Sequence, residues 1–350
     1  MQRRPVSLHD IAREAGVSHS TVSRALRDSA LISADVRARI HAIAAELGYV
    51  PNAVAQSLQG SRTRAVGVLV TTISDPFFTD VVAGMEAAAR PAGYSLLLTA
   101  THNDPVLERQ GFAEFRRRRV DGFVLASSRG MPDRDAFTGC PLVLVNSAAT
   151  RVAADVHAVA VDDRAGARMA MDHLIALGHR CIGYLGAVSR AASNRRRRAG
   201  YRDALRAAGI AFDEDLCLDA PSFDAEPEAD VAAGCAYAPQ LLARGVTAIF
   251  CYNDMIAIGA LQACRALRVA VPQQISIVGF DDVSPARYCT PELTTVHQPR
   301  AQLGAAAMQL LFDLLDGRTA RNRTLEPQLV VRASTASFDP LRAAQTKTRT

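Results

Sequence analysis

The sequence predicts an α/β protein in which a small all-α head, residues 1–50, precedes a two-lobed body built on parallel sheets. Three observations predict it. Helical apolar stripes separated by turn signals fill the first fifty residues. From residue 64 onward, short β-branched or leucine-rich runs alternate with helical stretches. Those runs form two sets, divided near residues 147–158 by a segment rich in small residues. A chain of 350 residues is also long for one compact core. With 49% hydrophobic and 21% charged residues, it has the composition of a folded soluble protein.

In the head, Ser7 followed by Asp10 is a Ser-x-x-acid helix start, after which Leu8, Ile11, Ala12 and Ala15 recur at helical spacing. Gly16 supplies the positive-φ turn that ends this helix. Ser18 caps the next, "VSHSTVSRAL". There Val22, Ala25 and Leu26 share one face, while His19, Ser20, Ser23, Arg24 and Arg27 line another that carries no acid. A third helix opens at Ser33, with Val36, Ile40, Ile43, Ala44 and Leu47 in one stripe and Gly48 at its end. Two short helices joined by a glycine turn and braced by a third make a helix-turn-helix.

Such a motif lays its second helix in the DNA major groove, where the outer face must offer donors and acceptors without repelling phosphate. Arg24 suits a bidentate contact to guanine, His19 and Ser20 stand near the helix start where base edges are reached, and Thr21 and Ser23 suit phosphate oxygens. Charge agrees. The formal net charge is +5, and residues 1–64 hold nine arginines against five acids, so the head carries nearly all of the excess. An ordinary solvated helix is the plain alternative; the glycine turn, the third helix and the charge asymmetry together weigh against it. Residues 51–60, "PNAVAQSLQG", begin with Pro51 and Asn52, a capped start, but give only about two turns, which fold only when packed against a partner.

In the body, "AVGVLV", "SLLLTA", "GFVLAS", "LVLVN", "AVAVDD", "CIGYLG", "AIFCYN" and "SIVGFDD" read as strands of βαβ units. No G-x-G-x-x-G or Walker sequence follows any of them, so no nucleotide cofactor is expected. Ligands of open parallel sheets bind beyond the carboxyl ends of the strands. There stand Asp75, Phe77 and Phe78 in "SDPFF", Asn146 after "LVLV", Asn253 and Asp254 after "IFCY", and Asp281 and Asp282 after "IVGF". Aromatic faces with amides and carboxylates suit a small polyhydroxylated ring; each Asp or Asn taken alone also reads as a helix cap.

Two "RRRR" runs differ in placement. Residues 116–119 close a helix, where cations complement its dipole, whereas residues 195–198 open one, where positive charge needs compensation by a ligand or by the carboxylate of Asp281. The seven cysteines contain no CxxC pair and read as small buried hydrophobes of a reducing compartment, so no metal is expected. No segment approaches membrane-span length, and the N-terminus carries no apolar run of signal-peptide length; a cytoplasmic location with no membrane partner is the expectation.

"SLHDIAREAGVSHSTVSRAL" followed by "AELGYVPNAVAQSL" resembles the head of the lactose/galactose repressor (LacI/GalR) family of bacterial transcription regulators. "DPFF", "RRAGYRDAL", "YNDMIAIGAL", "VPQQISIVGFDD" and "PELTTVHQP" are similar to recurring phrases of that family's effector domain, which resembles periplasmic sugar-binding proteins of type I. In the family, the positions matching His19 and Ser20 vary with the operator and the position of Arg24 commonly contacts a base. Arg27 stands where Asn is frequent. The resemblance makes residues 51–63 a hinge helix and linker, with Asn52, Ala55 and Leu58 on the DNA and Leu58 as a wedge that kinks the minor groove.

It also implies an effector-binding and dimerisation domain over 64–340, with one lobe at 64–157 plus 298–320, the other at 158–292 plus 323–338, and a tail at 341–350. Asp75, Phe77, Phe78, Asn146, Arg197, Phe223, Asn253 and Asp281 would line the cleft. Asp75 stands where sugar-binding relatives often have Asn, which favours a sugar or derivative. The tail lacks leucine heptads, so a homodimer is expected. The implied protein is a repressor of a carbohydrate-utilisation operon with operator DNA and a small-molecule effector as partners. The alternative is a regulator answering to a purine or sugar-phosphate corepressor, or an activator. A secreted sugar receptor would lack the basic head, an enzyme would need a nucleophile–base pair in recognisable context, and an architectural DNA protein would leave the cleft residues unexplained.

Overall fold

The computed structural model describes residues 6–26, 28–49, 62–126, 132–146, 156–188, 191–220 and 227–339. Arg27, Asn52, Ala55, Leu58 and Phe223, residues 51–61 of the expected hinge, and the 341–350 tail lie outside the described residues. The chain divides into two compact units, residues 1–63 and 64–350.

Among its described residues the first unit contains three helices, α1 (Leu8–Ala15), α2 (His19–Ala25) and α3 (Ala34–Glu46). At the start of α1 the Asp10 carboxylate accepts from the Ser7 backbone N–H at 2.9 Å and from its hydroxyl at 2.7 Å. Gly16 ends the helix at φ 63°, the left-handed conformation that glycine adopts without a Cβ clash. Ile11, Ala15, Val22, Ala25 and Ile40 form the small core, so the three stripes read from the sequence meet one another.

The second unit holds two six-stranded sheets. The first is built from β1 (Ala65–Val70), β2 (Ser95–Ala100), β3 (Gly122–Ala126), β4 (Leu142–Val145), β5 (Val156–Val161) and β11 (Arg323–Leu325) in the order β11-β5-β4-β3-β1-β2, all pairs parallel. The second is built from β6 (Ile182–Ala187), β7 (Cys217–Ala220), β8 (Ala248–Cys251), β9 (Ser276–Asp281), β10 (Thr294–His297) and β12 (Gln328–Val330) in the order β12-β10-β9-β8-β6-β7, with only the β10–β12 pair antiparallel. β1, β3, β4, β6, β8 and β9 are almost wholly buried, which is why they read as continuous apolar runs rather than alternations.

Each lobe repeats one plan. Its first strand lies between its second and third, so strand order reverses there and opens a crevice at the carboxyl ends. Helices α4 (Pro76–Ala89) and α12 (Arg300–Leu315) pack against each other on the first sheet. Their contact depends on two glycines: a Cβ on Gly84 would lie 2.0 Å from the Ala301 carbonyl oxygen, and one on Gly304 would lie 2.0 Å from that of Val81. The apolar face of α12, with Leu303, Ala307, Leu310 and Leu311, is therefore core. α8 (Ala191–Ala207) follows β6, and α10 (Asp254–Ala266) follows β8.

The lobe boundaries differ from those expected. β5 belongs wholly to the first sheet, so the division placed between residues 157 and 158 falls inside a strand, and the chain crosses only after Val161. β11 likewise pairs with β5, although residues 323–338 were assigned to the second lobe. The chain crosses again between His297 and Arg300 and between Leu325 and Gln328. The small-residue segment between β4 and β5 joins two strands of one sheet, and strand pairing rather than composition decides lobe membership.

Among the described residues no helix is long and apolar enough to cross a membrane, and no group of three metal-ligating side chains is found. All seven cysteines are free. Burial pushes the thiols of Cys217 and Cys264 up to about 11, so both stay protonated and unreactive near neutrality.

Candidate functional site

In the head, the outer face of α2 takes shape from its cap. The Ser18 hydroxyl oxygen accepts from the Thr21 backbone N–H at 3.1 Å and lies 2.8 Å from the hydroxyls of both Ser20 and Thr21. His19, Ser20 and Arg24 are exposed, while Thr21 and Ser23 are half-buried beside the core residues Val22 and Ala25. The His19 ring rests against that of His9 from α1, with centroids 4.6 Å apart. His9 lies off the apolar stripe of α1, so the periodicity that announces the helix does not mark it. Opposite, α3 is tied in by Arg39, which donates to the Ala15 carbonyl, and by Arg37, which donates to the Asp28 carbonyl at 3.1 Å.

In the body, a pocket enclosing about 400 Å³ of open space, mouth included, lies where the carboxyl ends of the two sheets face each other. The first lobe contributes Asp75, Phe77 and Phe78 beyond β1, and Val145 and Asn146 at the end of β4. The second contributes Ser193 and Arg197 from α8, Tyr252 beyond β8, and Asp281 at the end of β9. Gln298 comes from the crossover after β10. Asp75 caps α4 by accepting from the Phe77 N–H at 2.9 Å, so one carboxylate serves helix and pocket. The Phe77 and Phe78 rings meet edge to face, 5.3 Å between centroids.

Arg197 is the buried cation of the site, with 3% of its side chain exposed, so its charge is held by protein groups rather than water. Its Nε donates to Asp163 Oδ1 at 2.9 Å, Nη1 donates to the Tyr252 carbonyl, and Nη2 lies 3.6 Å from Asp281 Oδ1. The guanidinium carbon sits 3.7 Å from the Phe280 ring centroid and 4.4 Å from that of Tyr252. The arginine run is thus compensated within the fold: Arg196 pairs with Asp163 at 2.7 Å, and Arg198 with Asp219 at 3.2 Å and with Glu214. Of the four, Arg197 is the one that lines the pocket.

Gln298 ties the lobes across the pocket. Its Nε2 donates to Asp281 Oδ1, and its Oε1 accepts from Asn146 Nδ2 at 3.1 Å, while Asn146 Oδ1 accepts from the Val161 N–H at 3.1 Å. Asp281 and Asp282 have positive φ, 114° and 55°, and Asn146 has 52°. Such angles are costly for side-chain-bearing residues, and they turn these groups toward their partners at the strand ends. Burial pushes the Asp281 carboxyl up to about 7; Arg197 opposes the shift and Asp75 adds to it. Its neighbour behaves oppositely. Burial would also raise Asp282, but hydrogen bonds from His297 and Arg332 outweigh it and hold its carboxyl at about 2.

Of the residues expected in the cleft, Asp75, Phe77, Phe78, Asn146, Arg197 and Asp281 converge on this pocket, and Asn253 does not. Asn253 caps α10, accepting from the Ile256 N–H at 2.9 Å and donating to Asp230 at 2.6 Å. Asp254, fully buried, accepts from the Val283 N–H at 2.9 Å and from the Thr295 hydroxyl, so it braces the β9 end. Ser193, Tyr252 and Gln298 were missed; the Ser193 and Tyr252 hydroxyls are 2.7 Å apart. Tyr252 adjoins the "ND" that drew attention after β8, and proximity to it was the available signal.

A helix-turn-helix head joined to a two-lobed parallel-sheet body is the architecture of a DNA-binding transcription regulator. The chain matches the bacterial regulatory proteins of the lacI family over residues 7–52 and the periplasmic binding protein-like domain over residues 171–335. It is 35% identical over 338 residues to the ribose operon repressor of Haemophilus influenzae, covering 95% of this chain and 99% of that protein. It is 33% identical over 341 residues to the HTH-type transcriptional repressor PurR of Serratia proteamaculans, covering 94% and 97%. The Lac repressor dimer bound to operator and the anti-inducer ONPF superposes with a TM-score of 0.82 at 28% identity, covering 95% of this chain and all of that one. The chain belongs to the lacI family of bacterial regulatory proteins, and it is a DNA-binding transcription regulator rather than an enzyme.

Proposed function

We propose that the protein is a cytoplasmic, homodimeric repressor of a carbohydrate-utilisation operon, released from its operator by a sugar-like effector bound between the lobes. The observation that carries this reading is the Asn146–Gln298–Asp281–Arg197 chain, which joins both lobes at the carboxyl ends of their strands beside Phe77 and Phe78. A ligand that engages it exchanges partners with both lobes at once, and unequal binding to two lobe arrangements is what couples a ligand to a distant site.

In this reading residues 1–50 form the DNA-binding domain, 51–63 the hinge helix and linker, and 64–340 the effector-binding and dimerisation domain. His19, Ser20 and Arg24 read bases, and Ser18, Thr21, Ser23 and Arg27 hold phosphates. Asn52, Ala55 and Leu58 contact the hinge DNA, with Leu58 as the wedge. Asp75, Phe77, Phe78, Asn146, Arg197, Phe223, Asn253 and Asp281 contact effector, and Asn253 also caps α10. The name of the ribose operon repressor supports the sugar class. A regulator answering to a purine or sugar-phosphate corepressor is the second reading.

The test is operator binding by the purified protein at one fixed salt concentration, using DNA from its own upstream region, with and without monosaccharides and purine bases. Salt is fixed because phosphate contacts make affinity strongly salt-dependent. Release by a sugar supports the proposal; tightening by a purine supports the second reading and overturns the first.

A further inference from the structure

We infer that His9 is a positioning residue for base recognition: its ring, laid against that of His19, holds the His19 imidazole in the orientation that reads the operator. This rests on the base-reading role proposed above for His19 and adds a residue of α1 to it. The observation that carries it is the contact between the rings. Their centroids are 4.6 Å apart and their planes are inclined by 32°, within the range of paired aromatic rings.

The fold brings the pair together from two helices. His9 is the second residue of α1, and His19 is the first of α2. Gly16, at φ 63°, turns the chain between them, and Ile11, Ala12, Ala15, Val22 and Ala25 bury the inner sides of both helices in one small core. With those sides fixed, the exposed imidazole near the start of α1 meets the exposed imidazole at the start of α2.

His19 depends on this contact more than its neighbours depend on theirs. The Ser20 and Thr21 hydroxyls each lie 2.8 Å from the Ser18 hydroxyl, so the cap anchors both. No such anchor reaches His19. Among the described residues neither imidazole hydrogen-bonds or forms an ion pair within the head, and each is the other's ring partner. An exposed side chain without an anchor samples several rotamers, and a base-reading group loses that freedom when it binds. A stacked neighbour narrows the choice beforehand. It does so without using donors or acceptors, because the contact is made by ring faces and leaves the ring nitrogens at the edges for DNA.

The experiment reads discrimination rather than overall affinity. Full-length wild type, His9→Ala, His9→Phe, His19→Ala and the double variant His9→Ala/His19→Ala are compared on operator DNA from the protein's own upstream region. Each base pair of one half-site is changed in turn, at one salt concentration and one pH. His19→Ala is expected to flatten preference at one base pair by about tenfold. His9→Ala is expected to flatten it at that same base pair by about threefold or more, with no further loss in the double variant. His9→Phe, which keeps a ring without ring nitrogens, should restore most of the preference.

An unchanged profile in His9→Ala, effects that add in the double variant, or no rescue by phenylalanine overturns the inference and leaves His19 as a base reader. Loss of preference at a different base pair also overturns it, by making His9 a reader in its own right. Uniform weakening at every base pair with a lowered unfolding midpoint does the same, by assigning His9 to packing. An unchanged profile in His19→Ala overturns both the inference and the base-reading role on which it rests.

Discussion

Asn146 Nδ2 donates to Gln298 Oε1 at 3.1 Å, a bond that joins the end of a first-sheet strand to the segment leaving the second sheet. Gln298 Nε2 continues the contact to Asp281. One side chain therefore senses both lobes, and its loss separates two groups that effector binding must bring to terms.

Gln298→Ala removes both bonds without cutting the backbone path. Neutral hydrogen bonds contribute about 0.5–1.5 kcal/mol each, those to a charged group about twice that, so the expected effect is an effector response weakened by about tenfold or more. Operator affinity without effector should stay close to wild type, and effector titrations of operator release check both quantities. A variant that responds like wild type shows that Gln298 does not link the lobes.

Arg197→Ala leaves Asp163 and Asp281 buried with one partner fewer. Removing one member of a buried pair costs about 3–5 kcal/mol, though Arg196 continues to compensate Asp163, so the lower end is expected. Denaturant unfolding of the body measures it. Arg197→Lys should recover part of the stability while failing to recover the two ring contacts, since an ammonium lacks the planar faces of the guanidinium.

The Asp281 carboxyl sets a pH dependence with a definite sign. Its folded value is about 7 against an ordinary 3.8, so the folded state holds a proton that the unfolded chain releases. Relative to Asp281→Asn, the wild-type protein is at its best below about pH 4 and loses stability as pH rises toward 7, levelling off above it. The wild-type protein is therefore expected to lose more stability than Asp281→Asn between pH 4 and pH 8, by an amount on the order of a few kcal/mol. Urea unfolding of both proteins at the two pH values reads it directly. Asp282, held near 2, acts in the opposite sense and is lost only in strong acid.

Gly304→Ala tests the helix contact that carries the first lobe. The added Cβ would meet the Val81 carbonyl oxygen at 2.0 Å, so α4 and α12 must separate. Overpacking of this kind costs about 1–3 kcal/mol or more, visible as a lowered unfolding midpoint. An alanine at exposed Gly209, whose φ is 66°, lacks any such contact and should be penalised only through its backbone.

Much of this arrangement is legible in the sequence because it is local. The caps at Ser18 and the turn at Gly16 announce α1 and α2, and strands buried on both faces announce themselves as apolar runs. β11 and β12 are three residues each and carry no such run, and β11 was placed with the wrong lobe because its partner β5 lies more than 150 residues away. The same distance hides Gln298: its role depends on Asn146, 152 positions earlier, and on Asp281, which no periodicity connects. Asn253 shows the converse. Its type and post-strand position fit both a cap and a ligand contact; its bonds to Ile256 and Asp230 make it a cap, as Asp75 is, and a cap can still face a ligand.

Arg24→Ala is expected to weaken operator binding by about 1–3 kcal/mol and to relax preference at one base pair, as loss of a bidentate guanine contact does. Competition between operator variants at fixed salt checks it; uniform weakening across all variants assigns Arg24 to phosphate instead.

The coupling between cleft and operator is tested most directly by comparing wild type with Asp281→Ala in one assay: operator affinity at a single salt concentration, with and without a saturating neutral sugar that releases the wild-type protein. The prediction is unchanged affinity without sugar and no release with it in the variant. Release of the variant at the same sugar concentration as wild type would contradict the placement of the effector between the lobes.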